Sequence, residues 1–379
     1  MNAEWGWHVM LYGSSFCAIL YSSFLHWYRY HWDILPAYAC PPDFFPVTSI
    51  TILVPARNEE NTILDCLEAI RRQNYPAHLL EVICIDDGSE DRTAQLIAAY
   101  SWPNVRLLRR SGGGKKAALE QGVSAAAGEL IVTTDADCLA PPNWLRHLAA
   151  AYEQEDAAFI AAPVQFSSGQ NLLQHFQALD FLGMMLLTGA GIFGRLHYLS
   201  NGANMAYPRK IFMEIGGYGT NRSLASGDDV FLVQEIARRY PERIVFVKTL
   251  EATVQTPSTK TLGEFWQQRL RWAGKNGQSN DHDLLLSLAQ AFLYSWFIIL
   301  SLILSPIYGT KSLLLFGLLV GIKAFQDYTL LRKATDFFQQ GELLRYFWPS
   351  QIMHTLYIAL IGLVAQFQKS YTWKGRRSR

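Results

Sequence analysis

The sequence predicts an α/β domain on a mostly parallel sheet, flanked by membrane helices on both sides. Three observations predict it. Apolar runs of strand length alternate with runs of helical period between residues 49 and 137. Several of those apolar runs end in acids or Pro, where the chain must turn. Residues 5–28 carry no Lys, Arg, Asp or Glu over a length that suits a bilayer.

The elements follow in order. SITILVPA (49–56) is a strand ending at Pro55, and NEENTILDCLEAIRRQ (58–73) is a helix with Ile63, Leu64, Leu67 and Ile70 at helical spacing. LLEVICIDDGS (79–89) is a second strand, closed by Asp86, Asp87 and a Gly turn; DRTAQLIAAY (91–100) is helical and NVRLLRR (104–110) is a third strand. GGGKKAALEQGVSAAA (112–127) is a glycine loop leading into a small-residue helix, and ELIVTTDAD (129–137) is the fourth strand. Strands alternating with helices imply a parallel sheet covered on both faces, which binds ligands at the carboxyl ends of its strands. Pro55, Asp86, Asp87, Asp135 and Asp137 are all expected there.

A chain of 379 residues is long enough for about two domains. Half of it is apolar and its net charge is +1, which gives no support for nucleic-acid binding. The five cysteines lie far apart without metal-ligand spacing, so they read as reduced thiols in a cytosol-facing protein. The first apolar stretch has Trp and Tyr at both ends and no basic leader, as expected of a span rather than a cleaved signal peptide. Three more stretches follow at 284–307, 312–331 and 346–367, and Lys323, Asp327 and His354 within them should face other helices. The expected organisation is an anchor at 1–30, a domain at 47–280, membrane segments at 284–368 and a basic tail at 369–379. Lys369, Lys374, Arg376, Arg377 and Arg379 should stay inside, yet three full crossings would carry them outside. Either one of the three segments is re-entrant or interfacial, or the charge rule fails here. Residues 169–193 are apolar with a single acid, Asp180, and their moderate length argues against a span. They either lie on the membrane and guide a lipid acceptor, or pack in the core.

Two carboxylates one residue apart, Asp135 and Asp137, disfavour each other's ionisation. A divalent cation holding a phosphate would reconcile them. The run Gly112–Gly113–Gly114–Lys115–Lys116 lacks the spacing of an ATP-binding phosphate loop. Gln268, Arg271 and Trp272 in FWQQRLRWAGK share one face of a helix.

ITILVPARNEE, VICIDDGSEDRT, GGGKKAALEQG, TTDADC, SNGANMAYPRKIFMEIGGY, SGDDVFL and QQRLRW occur in that order. Together they resemble the membrane-bound glycosyltransferases of family 2, which have a GT-A fold: a Rossmann-like mixed sheet that binds nucleotide-diphospho-sugars. The resemblance covers roughly residues 47–280. It implies a nucleotide-sugar donor, usually a UDP-sugar, and Mg²⁺ or Mn²⁺. It assigns Asp137 to the metal and Asp135 to the metal and the ribose or donor sugar. Pro55, Ala56, Glu59, Asp86, Asp87 and Lys115 would line the nucleotide sugar, with Asp87 ahead of Asp86 for the nucleoside. Arg57 would stack on the base or point to solvent. Lys116 stands where a small residue is usual, and Glu120 where Asn is common. Asp229 would be the general base, with Asp228 beside it as a catalytic acid or as the cap of the following helix. Gln268, Arg271 and Trp272 would serve the diphosphate and the acceptor.

These expectations describe a multi-pass membrane enzyme with a cytoplasmic catalytic domain. It would be a metal-dependent inverting glycosyltransferase moving a hexose or N-acetylhexosamine to a lipid or glycan acceptor, with a membrane lipid preferred. The alternatives are a processive polysaccharide synthase and a non-catalytic, membrane-anchored nucleotide-sugar binding protein.

Overall fold

The computed structural model describes residues 3–167, 169–219, 227–276, 281–367, 371–373 and 376–378. Lys369, Lys374 and Arg379 of the basic tail lie outside them. The chain divides into two compact units. One comprises Leu35–Ser167, Gly191–Ser258 and Ser370–Arg379; the other comprises Met1–Ile34, Ser168–Ala190 and Thr259–Lys369.

Among the described residues the first unit holds eleven strands: β1 (Ile50–Ala56), β2 (Leu80–Asp86), β3 (Val105–Arg109), β4 (Leu130–Thr133), β5 (Phe159–Ala161), β6 (Val164–Phe166), β7 (Met205–Pro208), β8 (Ile244–Phe246), β9 (Val254–Thr256), and the antiparallel pair β10 (Tyr371–Trp373) and β11 (Arg376–Ser378). Seven form one sheet in the order β3-β2-β1-β4-β7-β5-β8. β1 pairs in parallel with β2 and β4, as do β2 with β3 and β5 with β8. β7 runs antiparallel to both neighbours, β4 and β5, so the sheet is mixed. β6 and β9 make a separate parallel pair.

The unbroken apolar run of β1 follows from burial on both faces: Ile50, Ile52, Leu53 and Val54 are all buried. The helix Ile63–Arg71 turns Ile63, Cys66, Leu67 and Ile70 inward, a spacing of three and four that makes one stripe. The helix Lys115–Ala125 sits close on the sheet through its small residues. A Cβ added at Gly122 would lie 2.9 Å from Leu53 Cδ2 and 3.1 Å from Ile85 Cδ1. Gly128, which leads into β4, comes closer still: its Cβ would lie 2.5 Å from the Thr51 backbone nitrogen.

Asn204 joins four segments. Its amide donates to the carbonyls of Pro163 (2.7 Å) and Ala252 (2.8 Å), and its oxygen accepts from the Trp144 indole (2.8 Å). The side chain is fully buried and every one of these partners is internal.

The second unit is helical. Among the described residues five helices are long and apolar enough to cross a membrane: Glu4–Ile34, Leu172–Phe193, His282–Ile303, Thr310–Phe337 and Gly341–Phe367. Leu172–Phe193 differs from the rest, being 83% buried over its apolar window against 17–33% for the other four. Within residues 169–193, Leu172–Phe193 therefore forms a core helix, and the alternative of a helix lying on a membrane surface is set aside. Its composition is apolar all round because protein surrounds it. The stretch 284–307 is interrupted after Ile303; a short turn, Ser305–Tyr308, and Gly309 at φ +61° separate it from the next helix. Asp281 caps His282–Ile303 by accepting from the Leu284 N–H (3.0 Å). Tyr294 stacks on Tyr21 with ring centres 4.9 Å apart and donates to the Leu319 carbonyl (2.9 Å). Lys323 and Asp327 are buried, Asp327 against Tyr21 and Lys323 against Gln351 and His354, so both face other helices as the sequence predicts.

Two substitutions test this packing by thermal unfolding. Gly128→Ala forces a methyl onto backbone that cannot move aside and should cost about 1–3 kcal/mol. Asn204→Leu strands two carbonyls and an indole N–H and should cost about 3 kcal/mol or more. A midpoint within a degree of wild type for either would contradict the corresponding contact.

Candidate active site

The site grows from the register of three strands. Ala56 lies opposite Asp86 and Leu53 opposite Thr133. Each ladder then runs one step further, with Asp87 N–H on the Ala56 carbonyl (2.9 Å) and Thr134 N–H on the Leu53 carbonyl (3.2 Å). Pro55–Ala56, Asp86–Asp87 and Asp135–Asp137 thus leave the sheet at one edge, where the sequence places them.

At the β2 end, Asp86 accepts from the Ser89 N–H (3.2 Å), an Asx turn that shapes the DDGS corner. Asp87 is buried and accepts from the Gly114 N–H (3.1 Å). Arg57 is buried too. Its guanidinium donates to the Asp87 carbonyl (3.0 Å) and to Glu90 (3.3 Å), so it does not point to solvent. Glu59 starts the next helix: its carbonyl accepts from the Thr62 and Ile63 N–H groups, and its carboxylate accepts from the Thr62 hydroxyl (3.1 Å).

The glycine loop is tied down by Arg110, which the sequence reading did not single out. Arg110 donates to the Ala117 carbonyl (3.0 Å), Gln121 (2.9 Å) and the Gly112 carbonyl (3.3 Å), and its Nε lies 3.7 Å from Asp87. Gly112, Gly113 and Gly114 all have positive φ, a backbone that L side chains rarely adopt. That conformation turns the Gly114 N–H onto Asp87 and sends Lys115 the other way. Lys115 Nζ reaches Asp135 at 2.6 Å. Lys116 is buried, 4.9 Å from the centre of the Phe231 ring.

Asp135, Asp137 and Cys138 each offer one ligand atom within 4.8 Å of the others. Carboxylate oxygens suit Mg²⁺ or Mn²⁺. Burial, reinforced by the Asp137 and Asp135 carboxylates, holds the Cys138 thiol well above the ordinary value, and a thiol is the softer donor of the three. Lys115 pairs with Asp135, and Asp137 accepts from the Cys138 thiol (3.6 Å).

Asp229 is the second residue of the helix Asp228–Arg239. Its carboxylate accepts from the Val230 N–H (2.9 Å) and the Gly202 N–H (3.3 Å), an arrangement that fixes its orientation. Gly202 is held in turn by Thr133, whose hydroxyl donates to the Gly202 carbonyl (2.9 Å). The strand carrying the Asp135–Asp137 pair and the acid of the second pair are thus two hydrogen bonds apart. Gly227, at φ +86°, is the capping residue of this helix and Asp228 is its first residue; the Asp228 side chain lies outside the described ones. Thr133 and Gly202 lie within the motifs TTDADC and SNGANMAYPRKIFMEIGGY, but the motifs alone gave neither residue a role.

Gln268, Arg271 and Trp272 belong to the helix Leu262–Asn276 in the helical unit. Trp272 packs against Phe181 with ring centres 5.9 Å apart, and the Arg269 guanidinium lies 4.6 Å from its ring centre.

Residues 51–216 match the family model described as Glycosyl transferase family 2. The chain is 25% identical to "Probable glycosyltransferase YdaM" of Bacillus subtilis over 64% of its own length and 58% of the relative's. It is also 25% identical to the beta-monoglucosyldiacylglycerol synthase of Trichormus variabilis, over 70% of its own length and 57% of the relative's. The chain thus spans under two thirds of the length of these relatives. Among solved structures it is similar to the mannosyltransferase PcManGT of Pyrobaculum calidifontis, determined in complex with GDP-Man and Mn²⁺. That similarity has a TM-score of 0.58 at 18% identity and covers 92% of this chain and 97% of the other. It establishes the GT-A fold.

The thiols give a direct test of this environment. Burial also raises Cys66 well above its ordinary value, with Cys84, Asp137 and Asp135 adding to it, and pushes Cys84 up to about 12. A raised thiol pKa keeps the reactive thiolate scarce until the pH is far above neutral. Maleimide treatment of the folded protein near neutral pH, read by peptide mass spectrometry, should leave Cys66, Cys84 and Cys138 unmodified. Rapid labelling of Cys138 would contradict the burial described.

Proposed function

We propose, for a chain whose residues 51–216 are a family 2 glycosyltransferase domain, that it is a metal-dependent inverting glycosyltransferase. It would move a hexose or N-acetylhexosamine from a nucleotide sugar, a UDP-sugar in the first instance, to a membrane lipid. The observation that carries this reading is the meeting of strand ends. Asp87 and the glycine loop, the Asp135–Asp137 pair, and the Thr133–Gly202–Asp229 hydrogen bonds all spring from the carboxyl edge of β1, β2 and β4.

Each group then has a role. Asp87, with Asp86 behind it, accepts from the nucleoside, while Pro55, Ala56 and Glu59 line its path. Lys115 and Asp135 lie beside the diphosphate and the donor sugar. A divalent cation held by Asp137 and Asp135 supplies Lewis-acid stabilisation of the departing diphosphate. Asp229 takes the proton from the acceptor hydroxyl as that oxygen attacks the anomeric carbon from the face opposite the leaving group. Attack from that face inverts the centre. Asp228, next to the base, is assigned to the same acid pair. Arg271 offers a planar fork of donors to the diphosphate, and Gln268 and Trp272 serve the acceptor.

The lipid acceptor is supported by the apolar helices and by the relative named for diacylglycerol glucosylation. The same helices support a multi-pass protein, and the free cysteines support a catalytic domain that faces the cytoplasm.

The test is a donor screen on purified protein in lipid-doped micelles. UDP-sugars and GDP-mannose would be offered with Mn²⁺ or Mg²⁺, and with or without diacylglycerol, ceramide and polyprenyl phosphate. Transfer of one sugar to a lipid, abolished by chelation, is expected. Asp137→Asn and Asp229→Asn should each lower turnover roughly 100-fold or more. Turnover unchanged by either would refute the assignment, and a water-soluble polymer as product would refute the lipid acceptor.

A further inference from the structure

The helical unit contains a buried chain of charged and polar side chains that the glycosyl-transfer chemistry does not use. It begins at Tyr21, which donates to Asp327. Asp327 pairs with Lys323, four residues back on the same helix. Lys323 also donates to Gln351 (3.2 Å) and to His354 Nδ1 (3.1 Å). A Lys ammonium on Nδ1 fixes the imidazole in the Nε2–H tautomer. Nε2 in turn faces Asp180 at 3.7 Å. Tyr357 donates to the same carboxylate at 3.3 Å, and Arg269 pairs with it at 2.9 Å. Asp180 is the single acid of the buried helix Leu172–Phe193, and Arg269 is 3% exposed.

Two cations, Arg269 and Lys323, face two carboxylates, Asp180 and Asp327. The set is balanced, so it has no surplus charge with which to hold an anionic headgroup or phosphate. What it has is geometry. The Arg269 guanidinium lies against three rings at once, 4.6 Å from Trp272, 5.0 Å from Phe265 and 5.4 Å from Tyr357. Phe181, one residue after Asp180, packs on Trp272 as well. Asp180 therefore fixes Arg269, and Arg269 together with Phe181 fixes the plane of Trp272.

We infer that Asp180 is a positioning residue for the Gln268–Arg271–Trp272 face. Its ion pair with Arg269 sets the rotation of the helix Leu262–Asn276, and so the direction in which Arg271 and Trp272 are presented. The remaining members, His354, Lys323, Asp327 and Tyr21, anchor Asp180 across three further helices. The consequence for turnover rests on the glycosyltransferase reading; the structural claim does not.

The experiment separates the two. Full-length protein labelled with 5-fluorotryptophan is studied by ¹⁹F NMR in micelles. The Trp272 resonance among the eleven tryptophans is assigned by its disappearance in Trp272→Phe. Asp180→Asn should move or broaden that resonance, and Asp180→Glu should return it toward the wild-type position. If Asp180→Asn does not fold, Tyr357→Phe takes its place, since it removes one donor to the carboxylate and keeps the ring. A Trp272 resonance unmoved by a folded variant would overturn the inference whether or not any sugar is transferred.

In the transfer assay Asp180→Asn, or Tyr357→Phe in its place, should lower kcat about ten-fold with the donor KM within about two-fold, and Asp180→Glu should recover most of the loss. A kcat equal to wild type would overturn the positioning role while leaving the glycosyltransferase reading in place. Absence of transfer by the wild-type protein, with the Trp272 shift intact, would count against the reading and not against the ion pair.

Discussion

The parallel pairing of β1 with β2 on one side and β4 on the other decides where the chemistry of this protein can be. Parallel strands deliver their carboxyl ends to one edge, and a slip of one residue would turn every side chain to the opposite face. With Ala56 opposite Asp86 and Leu53 opposite Thr133, the acids that follow β2 and β4 leave the sheet side by side. The inserted β7 extends the consequence. Its antiparallel pairing to β4 brings the segment before it, with Gly202, back to the end of β4, where Thr133 holds it.

Charge is handled at that edge by fixed partners rather than by solvent alone. Arg57 and Arg110 attend the Asp87 turn, and Lys115 attends Asp135. Gly114 and Lys115 are adjacent in the chain, yet they contact acids from two different strands. Anything that draws the glycine loop toward one acid must therefore disturb its hold on the other. The helical unit shows the same economy: its buried ions occur in pairs and share hydrogen-bond partners, as burial in a low-dielectric interior demands.

Much of this was legible from the sequence. The first four strands, the glycine loop and the acidic pairs lie within short contiguous motifs, and local pattern is enough to find them. Arg110 was not singled out, and Thr133 and Gly202 were seen only as members of their motifs, because what all three do depends on partners that approach only when the chain folds. The direction of β7 was hidden for a related reason, since a four-residue apolar strand reads the same whichever way it runs. Residues 169–193 were ambiguous because a helix surrounded by protein and a helix surrounded by lipid have the same composition. Only the neighbours of Asp180 distinguish the two. Arg57 was misjudged in part, because a charged residue beside a loop looks exposed until its guanidinium is seen under the turn it supports.

The helical unit is assembled from three separated lengths of chain, with the sheet domain threaded between them. Its central helix is synthesised long before the segments that bring Arg269 and Tyr357. Until translation reaches them, Asp180 has no counter-ion from those helices, and the apolar faces around it must wait uncovered. No single cut can release either unit intact. Each unit is completed only by lengths of chain that lie on both sides of the other in the sequence.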